Sequence, residues 1–120
     1  MSVYTMTESE LKFARIVWDN SPINSTGLVR LCEQELNWKK STTYTVLKKL
    51  CEHNIFKNEN ATVLVLITEE KYNLLQGEKF IEDSFGGSLP RFLTAFITGK
   101  KLSKKQIDEI QALINKHRED

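Results

Sequence analysis

Trp38-Lys-Lys-Ser-Thr-Thr-Tyr-Thr-Val-Leu-Lys-Lys-Leu50 reads as an amphipathic helix whose outer face holds only hydrogen-bonding and cationic side chains. With Ser41 taken as the N-cap, Thr43, Val46, Leu47, Leu50 and Cys51 recur at the spacing of one inward stripe. Thr42, Tyr44, Thr45, Lys48 and Lys49 fall on the opposite side. Threonine is a poor choice for helix stability because β-branching restricts χ1, so several on one outer face point to a purpose other than stability. Base edges in a DNA groove are a natural target for such a face.

Working outward, the segment before this helix contains Leu28, Val29, Leu31, Cys32 and Leu36 at helical spacing, capped by Asn24 or Ser25 and followed by a turn over Asn37 to Lys40. Further upstream, Thr7-Glu-Ser-Glu10 is a capping box, and Leu11, Ala14, Ile16, Val17 and Trp18 populate the buried face of a first helix that runs to about Asn20. Ser21-Pro22 breaks it, and Ile23 and Asn24 are expected to be extended. Downstream, Ile55 to Ile67 changes to an extended pattern, two strands joined near Glu59 to Ala61. Helix, turn and helix followed by a hairpin is the order of a winged helix, which places its second such helix in the major groove. The same fold also serves protein-protein contacts, so a protein-interaction module without sequence-specific DNA binding is the competing expectation.

Beyond Thr68, a helix starting at Thr68-Glu-Glu-Lys71 carries Tyr72, Leu75, Phe80, Ile81 and Phe85 and stops at Gly86-Gly87. Leu89, Phe92, Leu93, Phe96 and Ile97 then repeat at three, one, three and one, and Gly99 ends that helix. Ser103-Lys-Lys-Gln106 is a second capping box, followed by the stripe Ile107, Ile110, Leu113 and Ile114. Such apolar faces must cover the winged helix or pair with another chain, and pairing is favoured because DNA readers of this size bind two half-sites as symmetric dimers. The expected fold class is therefore mostly α with a small β-hairpin: a winged helix-turn-helix over residues 1–68 and a helical dimerisation segment over residues 69–120.

Composition narrows the function. A formal net charge of +1 excludes a strongly basic glue for nucleic acid, but residues 39–57 hold five lysines against one acid, Glu52. Base-reading candidates are Thr42, Tyr44, Thr45 and Lys48; phosphate-holding candidates are Lys39, Lys40, Ser41, Lys49 and Lys57. Trp38 is expected to pack the turn against the core. The wing tip offers no arginine. Cys32 and Cys51 lie on apolar stripes as free, buried-type cysteines. Together with His53 and His117 they match no metal-ligand spacing, and no phosphate loop, metalloprotease motif or nucleophile elbow is present. The expectation is a cytoplasmic binding protein, not an enzyme, with no cofactor, no metal and no membrane insertion.

These residues also resemble a family, the BlaI/MecI/CopY group of bacterial repressors, in its penicillinase and methicillin-resistance branch. The resemblance runs from about Thr7 to Lys116 and is carried by Glu10-Leu-Lys-Phe-Ala-Arg-Ile-Val-Trp18, by Trp38 to Leu50 with its Thr42-x-x-Thr45, by Phe85-Gly-Gly-Ser88 and by Leu102-Ser-Lys-Lys-Gln-Ile-Asp-Glu-Ile110. It implies a winged helix on a palindromic double-stranded operator, a homodimer formed by the last three helices, and regulation of β-lactam resistance or a related stress response. It further implies relief by proteolysis in the C-terminal segment, triggered by a membrane-bound sensor protease. The usual scissile pair is Asn-Phe, and the matching position here is Ala95-Phe96, which keeps the phenylalanine and lacks the asparagine. Phe96 also lies on the apolar stripe, where dimer packing alone would account for it. Tyr44 departs from a common basic residue of the better-known relatives. The cysteine cluster of the copper-responsive branch has no counterpart after Cys51.

Overall fold

The computed structural model describes residues 4–118. Its elements are α1 (Glu8–Asn20), β1 (Ile23–Asn24), α2 (Ser25–Leu36), α3 (Lys40–Glu52), β2 (Phe56–Glu59), β3 (Thr62–Val65), α4 (Glu69–Phe85), α5 (Leu89–Gly99) and α6 (Lys104–Lys116). The described chain forms two compact units that divide between Lys79 and Phe80, inside α4 rather than just before it, after residue 68.

In the first unit, α1 starts at the anticipated capping box: Thr7 Oγ1 accepts from the Glu10 N–H and Glu10 Oε1 accepts from the Thr7 N–H. Phe13, Ala14 and Val17 are fully buried, whereas Leu11, expected inside, is only half-buried, because Phe13 takes the central place on that face. The Phe13 ring lies at 5.8 Å from Trp38 and edge-on to Phe56, so the turn before α3 is packed onto the core as its sequence indicates. α2 is capped by Asn24, whose side chain accepts from the Thr26 and Gly27 N–H groups. Asn37 closes it in the left-handed conformation (φ 56°), which asparagine tolerates better than most residues.

The hairpin is part of a three-stranded antiparallel sheet of order β1-β3-β2, larger by one strand than the expected two. Ile23 pairs with Val63 and Asn24 with Thr62, while Phe56 pairs with Val65 and Glu59 with Thr62. A two-residue strand is too short to show a period of two, and its partner lies some forty residues away, so only the extended conformation of Ile23 and Asn24 was readable. The wing turns at Asn60 and Ala61, both at positive φ (51° and 62°), the conformation of the tight turns that match the twist of a hairpin. The Ala61 carbonyl accepts from the Ser25 N–H at 2.8 Å and ties this turn to the start of α2.

The first turns of α4 belong to this unit. The Tyr72 hydroxyl accepts from the Met6 N–H at 2.8 Å, Trp18 Nε1 donates to the Ile67 carbonyl at 2.9 Å, and Arg15 reaches Glu69 at 3.4 Å. Tyr72 is buried.

In the second unit, the end of α4 carries Phe80 and Phe85 and α5 carries Phe92 and Phe96, a chain of ring contacts 5.5 to 6.0 Å apart. Ser88 and Ser103 cap α5 and α6, the latter with the expected capping box. Neither α5 nor α6 has a buried residue. Among the described residues, no helix is long and apolar enough to cross a membrane.

Candidate nucleic-acid interface

The inner face of α3 is as the spacing indicates: Thr43, Leu47 and Leu50 are buried, with Val46 and Cys51 half-buried beside them. The Thr43 hydroxyl is buried without a partner at hydrogen-bond geometry, and burial pushes the neighbouring Cys32 thiol up, with Thr43 partly opposing. Both cysteines are free.

The helix begins two residues earlier than expected. Lys39, not Ser41, is the N-cap, and it supplies no side-chain hydrogen bond. A serine is the better capping residue, but the αL conformation at Asn37 brings the chain round so soon that helical geometry is already established at Lys40. The other five described helices each have a side-chain oxygen at this place, from Thr7, Asn24, Thr68, Ser88 and Ser103. Only α3, among the described residues, starts without one. It also has no acidic residue in its first turn, and Lys39 and Lys40 stand there instead. Leading N–H groups carry the positive end of the helix dipole, so cations beside them are unfavourable until an anion arrives.

On the outer face, Ser41, Thr42, Thr45, Lys48 and Lys49 are exposed. Thr45 Oγ1 donates to the Ser41 carbonyl at 2.9 Å, which fixes its rotamer and leaves the methyl and the oxygen lone pairs outward. Tyr44, placed by sequence on this face, is half-buried: its hydroxyl lies 3.4 Å from Ser25 Oγ and its ring sits under the Lys40 ammonium at 5.9 Å. It flanks the threonine stripe instead of standing on it.

The lysines divide into two sets. Among the described residues, Lys39, Lys40 and Lys48 have no carboxylate within ion-pair distance, whereas Lys49 meets Glu10 at 3.1 Å and Lys57 meets Glu59 at 2.7 Å. Lys57 and Glu59 stand on the same face of β2, two residues apart, so the wing is locally neutral. Glu10 is different in kind, with a side chain 8% exposed. Burial pushes its carboxyl up, but the Thr7 N–H, the Tyr4 hydroxyl at 2.7 Å and Lys49 together hold it down to about 2. Tyr4 completes the cluster by stacking on His53 at 3.9 Å with the rings 10° from parallel. Sequence reading found Glu10 as a capping residue and missed this second role, because Tyr4, Glu10 and Lys49 share no local pattern.

The nine apolar positions assigned to pairing all lie on α5 and α6, and Leu89, Phe96, Ile97, Ile107, Leu113 and Ile114 are each more than two-fifths exposed. Phe92, Leu93 and Ile110 are half-buried within the unit. Ala95 and Phe96 both lie inside α5 and are exposed.

Three helices and a three-stranded sheet whose β2–β3 hairpin forms the wing define a winged-helix protein, and its third helix is uncapped and cationic at its start. The chain belongs to the family described as penicillinase repressor, which it matches over residues 6–116. It is 20% identical to the penicillinase repressor of Bacillus licheniformis, over 94% of this chain and 91% of that one. It is 30% identical to an uncharacterised 16.5 kDa protein encoded in the ptsI 3' region of Latilactobacillus sakei, over 91% of this chain and 77% of that one. The methicillin resistance regulatory protein MecI of Staphylococcus aureus is 17% identical, over 94% of this chain and 95% of its own length.

Proposed function

We propose that this protein is a transcriptional repressor that occludes a promoter by binding a palindromic operator as a homodimer, and that its targets are genes of β-lactam resistance or a related stress response. The open start of α3 carries the reading. It presents unbonded N–H groups, Lys39, Lys40 and the Ser41 hydroxyl together, an arrangement that a DNA phosphate would complete and that is unfavourable without one. From that anchor, Thr42, Thr45 and Lys48 would meet base edges along the groove, with Tyr44 at the margin. Two such helices in a dimer would enter successive major grooves about 34 Å apart.

Pairing through α5 and α6 is supported by their apolar faces, which bury no residue within the chain. Relief would follow cleavage beside Ala95 and Phe96 by a membrane-bound sensor protease. A cut there separates Ile107, Ile110, Leu113 and Ile114 from the winged helix, and with them the second half-site's contribution to affinity.

Titration against random-sequence duplex at several salt concentrations tests the reading. Affinity should fall steeply with salt, with a slope of about −0.9 per phosphate contact, and a selected palindromic site should bind more tightly than random duplex. Failure to bind any duplex even at low salt would leave the winged helix as a protein-interaction module.

A further inference from the structure

Thr42, Thr45 and Lys49 follow one another at spacings of three and four, which aligns them on a single stripe of α3. On spacing alone, Lys49 is therefore as well placed to meet DNA as the two threonines. Its ammonium, however, is at 3.1 Å from Glu10 Oε2 and 5.5 Å from the centre of the Tyr4 ring, turned toward the start of α1. Lys48, its neighbour, has no such partner among the described residues.

We propose that Glu10 is a positioning residue for nucleic-acid recognition, which withholds Lys49 from the phosphate backbone so that the stripe of Thr42 and Thr45 sets sequence preference; the proposal rests on the repressor reading above.

The asymmetry of the pair supports this. Glu10 is fixed before Lys49 arrives: Oε1 already accepts from the Thr7 N–H at 2.9 Å and from the Tyr4 hydroxyl at 2.7 Å, and Tyr4 is itself held by its stack on His53. Lys49 thus meets a preorganised, ionised acceptor. Moving the ammonium to a phosphate would leave an almost fully buried carboxylate oxygen without its cation, and the desolvation penalty of that oxygen opposes the move. A surface ion pair has no such hold, which is why the exposed Lys57–Glu59 pair is not assigned the same role. The consequence is discrimination. A lysine on the backbone strengthens binding to every sequence alike, so removing it from the contact set favours the groups that touch bases.

Three variants of the full chain decide the matter, each titrated at several salt concentrations against random duplex and against a site selected from a random library. Lys40→Met, at the phosphate anchor, should flatten the salt slope by about 0.9, and Lys49→Met should leave it unchanged within about 0.3. Glu10→Gln keeps the shape and the acceptor of the capping box but loses the charge. It should steepen the slope by about 0.9, raise random-duplex affinity about threefold at low salt and narrow the preference for the selected site. Circular dichroism and melting establish that each variant is folded. A Lys49→Met slope flattened as much as that of Lys40→Met overturns the proposal, as does a folded Glu10→Gln with unaltered slope. Should Glu10→Gln fail to fold, Lys49→Met, which changes an exposed side chain, decides alone. Absence of duplex binding by the unaltered protein would instead overturn the repressor reading beneath it.

Discussion

The first unit and the second use the same device, the amphipathic helix, to opposite ends. In α1, α2 and α3 every strongly apolar stripe finds its cover within the chain, and Phe13, Val17, Leu28, Leu50, Ile55, Phe56 and Val63 are fully buried. In α5 and α6 the stripes are as regular, yet no residue is buried. Periodicity therefore says which face of a helix is apolar and not what covers it. A stripe satisfied within the chain stabilises the monomer, and one left open contributes only when a partner arrives.

The largest test of this contrast is Phe13→Ala, which should lower the stability of the first unit by about 3 to 5 kcal/mol in chemical denaturation, because a fully buried ring is replaced by a cavity. Phe92→Ala, at a half-buried ring of the second unit, should lose far less in a dilute sample. If the two were equal, the second unit would have a private core after all. Next in size, Ile107→Asp combined with Ile114→Asp should raise the dimer dissociation constant by roughly a hundredfold, about 3 kcal/mol, while leaving the melting of the winged helix intact. Sedimentation at micromolar concentration reads this directly. An unaltered protein that sediments as a monomer would remove the assigned role of these helices.

Acid should act on the first unit through Glu10. Glu10 is held at about 2 when folded, against 4.5 as its ordinary value, so the folded state gains stability above the ordinary value and loses it as pH falls toward 2. Between about pH 6 and about pH 3 the first unit should lose about 2 kcal/mol in urea unfolding, and Glu10→Gln should flatten that loss. Dependence that survives Glu10→Gln would assign the acid sensitivity to other carboxylates. Smallest is Ala61→Gly. Ala61 sits at φ 62°, where a Cβ is unfavourable, so glycine should stabilise the wing by about 0.5 to 1 kcal/mol, read as a rise in melting temperature.

What the sequence disclosed follows the range of the interactions. Both capping boxes depend on residues within a few positions of each other and were legible, as were the cap of α2, narrowed to Asn24 or Ser25, and the turn of the hairpin, placed near Glu59 to Ala61. The half-buried stance of Tyr44 depends on Ser25, nineteen residues away, and the pairing of Ile23 with Val63 on a partner forty residues on. Neither leaves a local trace. The start of α3 was misplaced for a related reason: Ser41 is the better capping residue, but Asn37 in the left-handed conformation set the helix going at Lys40. The division of the chain within α4 was hidden because an unbroken helix carries no turn signal where its packing partners change. Of the candidate interface, the threonine face was readable from residue type and spacing. The separation of Lys48 from Lys49 was not, since it depends on Tyr4 and Glu10 arriving from the other end of the fold.

The strand order β1-β3-β2 leaves β2 on the outside, and its four residues include Lys57 and Glu59, side by side on one face. A flat apolar ribbon there would invite strands from other molecules to add on, whereas a short rim bearing paired charges discourages such growth. The opposite rim, β1, is two residues long and gives still less to build on. Both margins of the sheet are thus blunted, and the chain offers little on which an endless β-stack could grow.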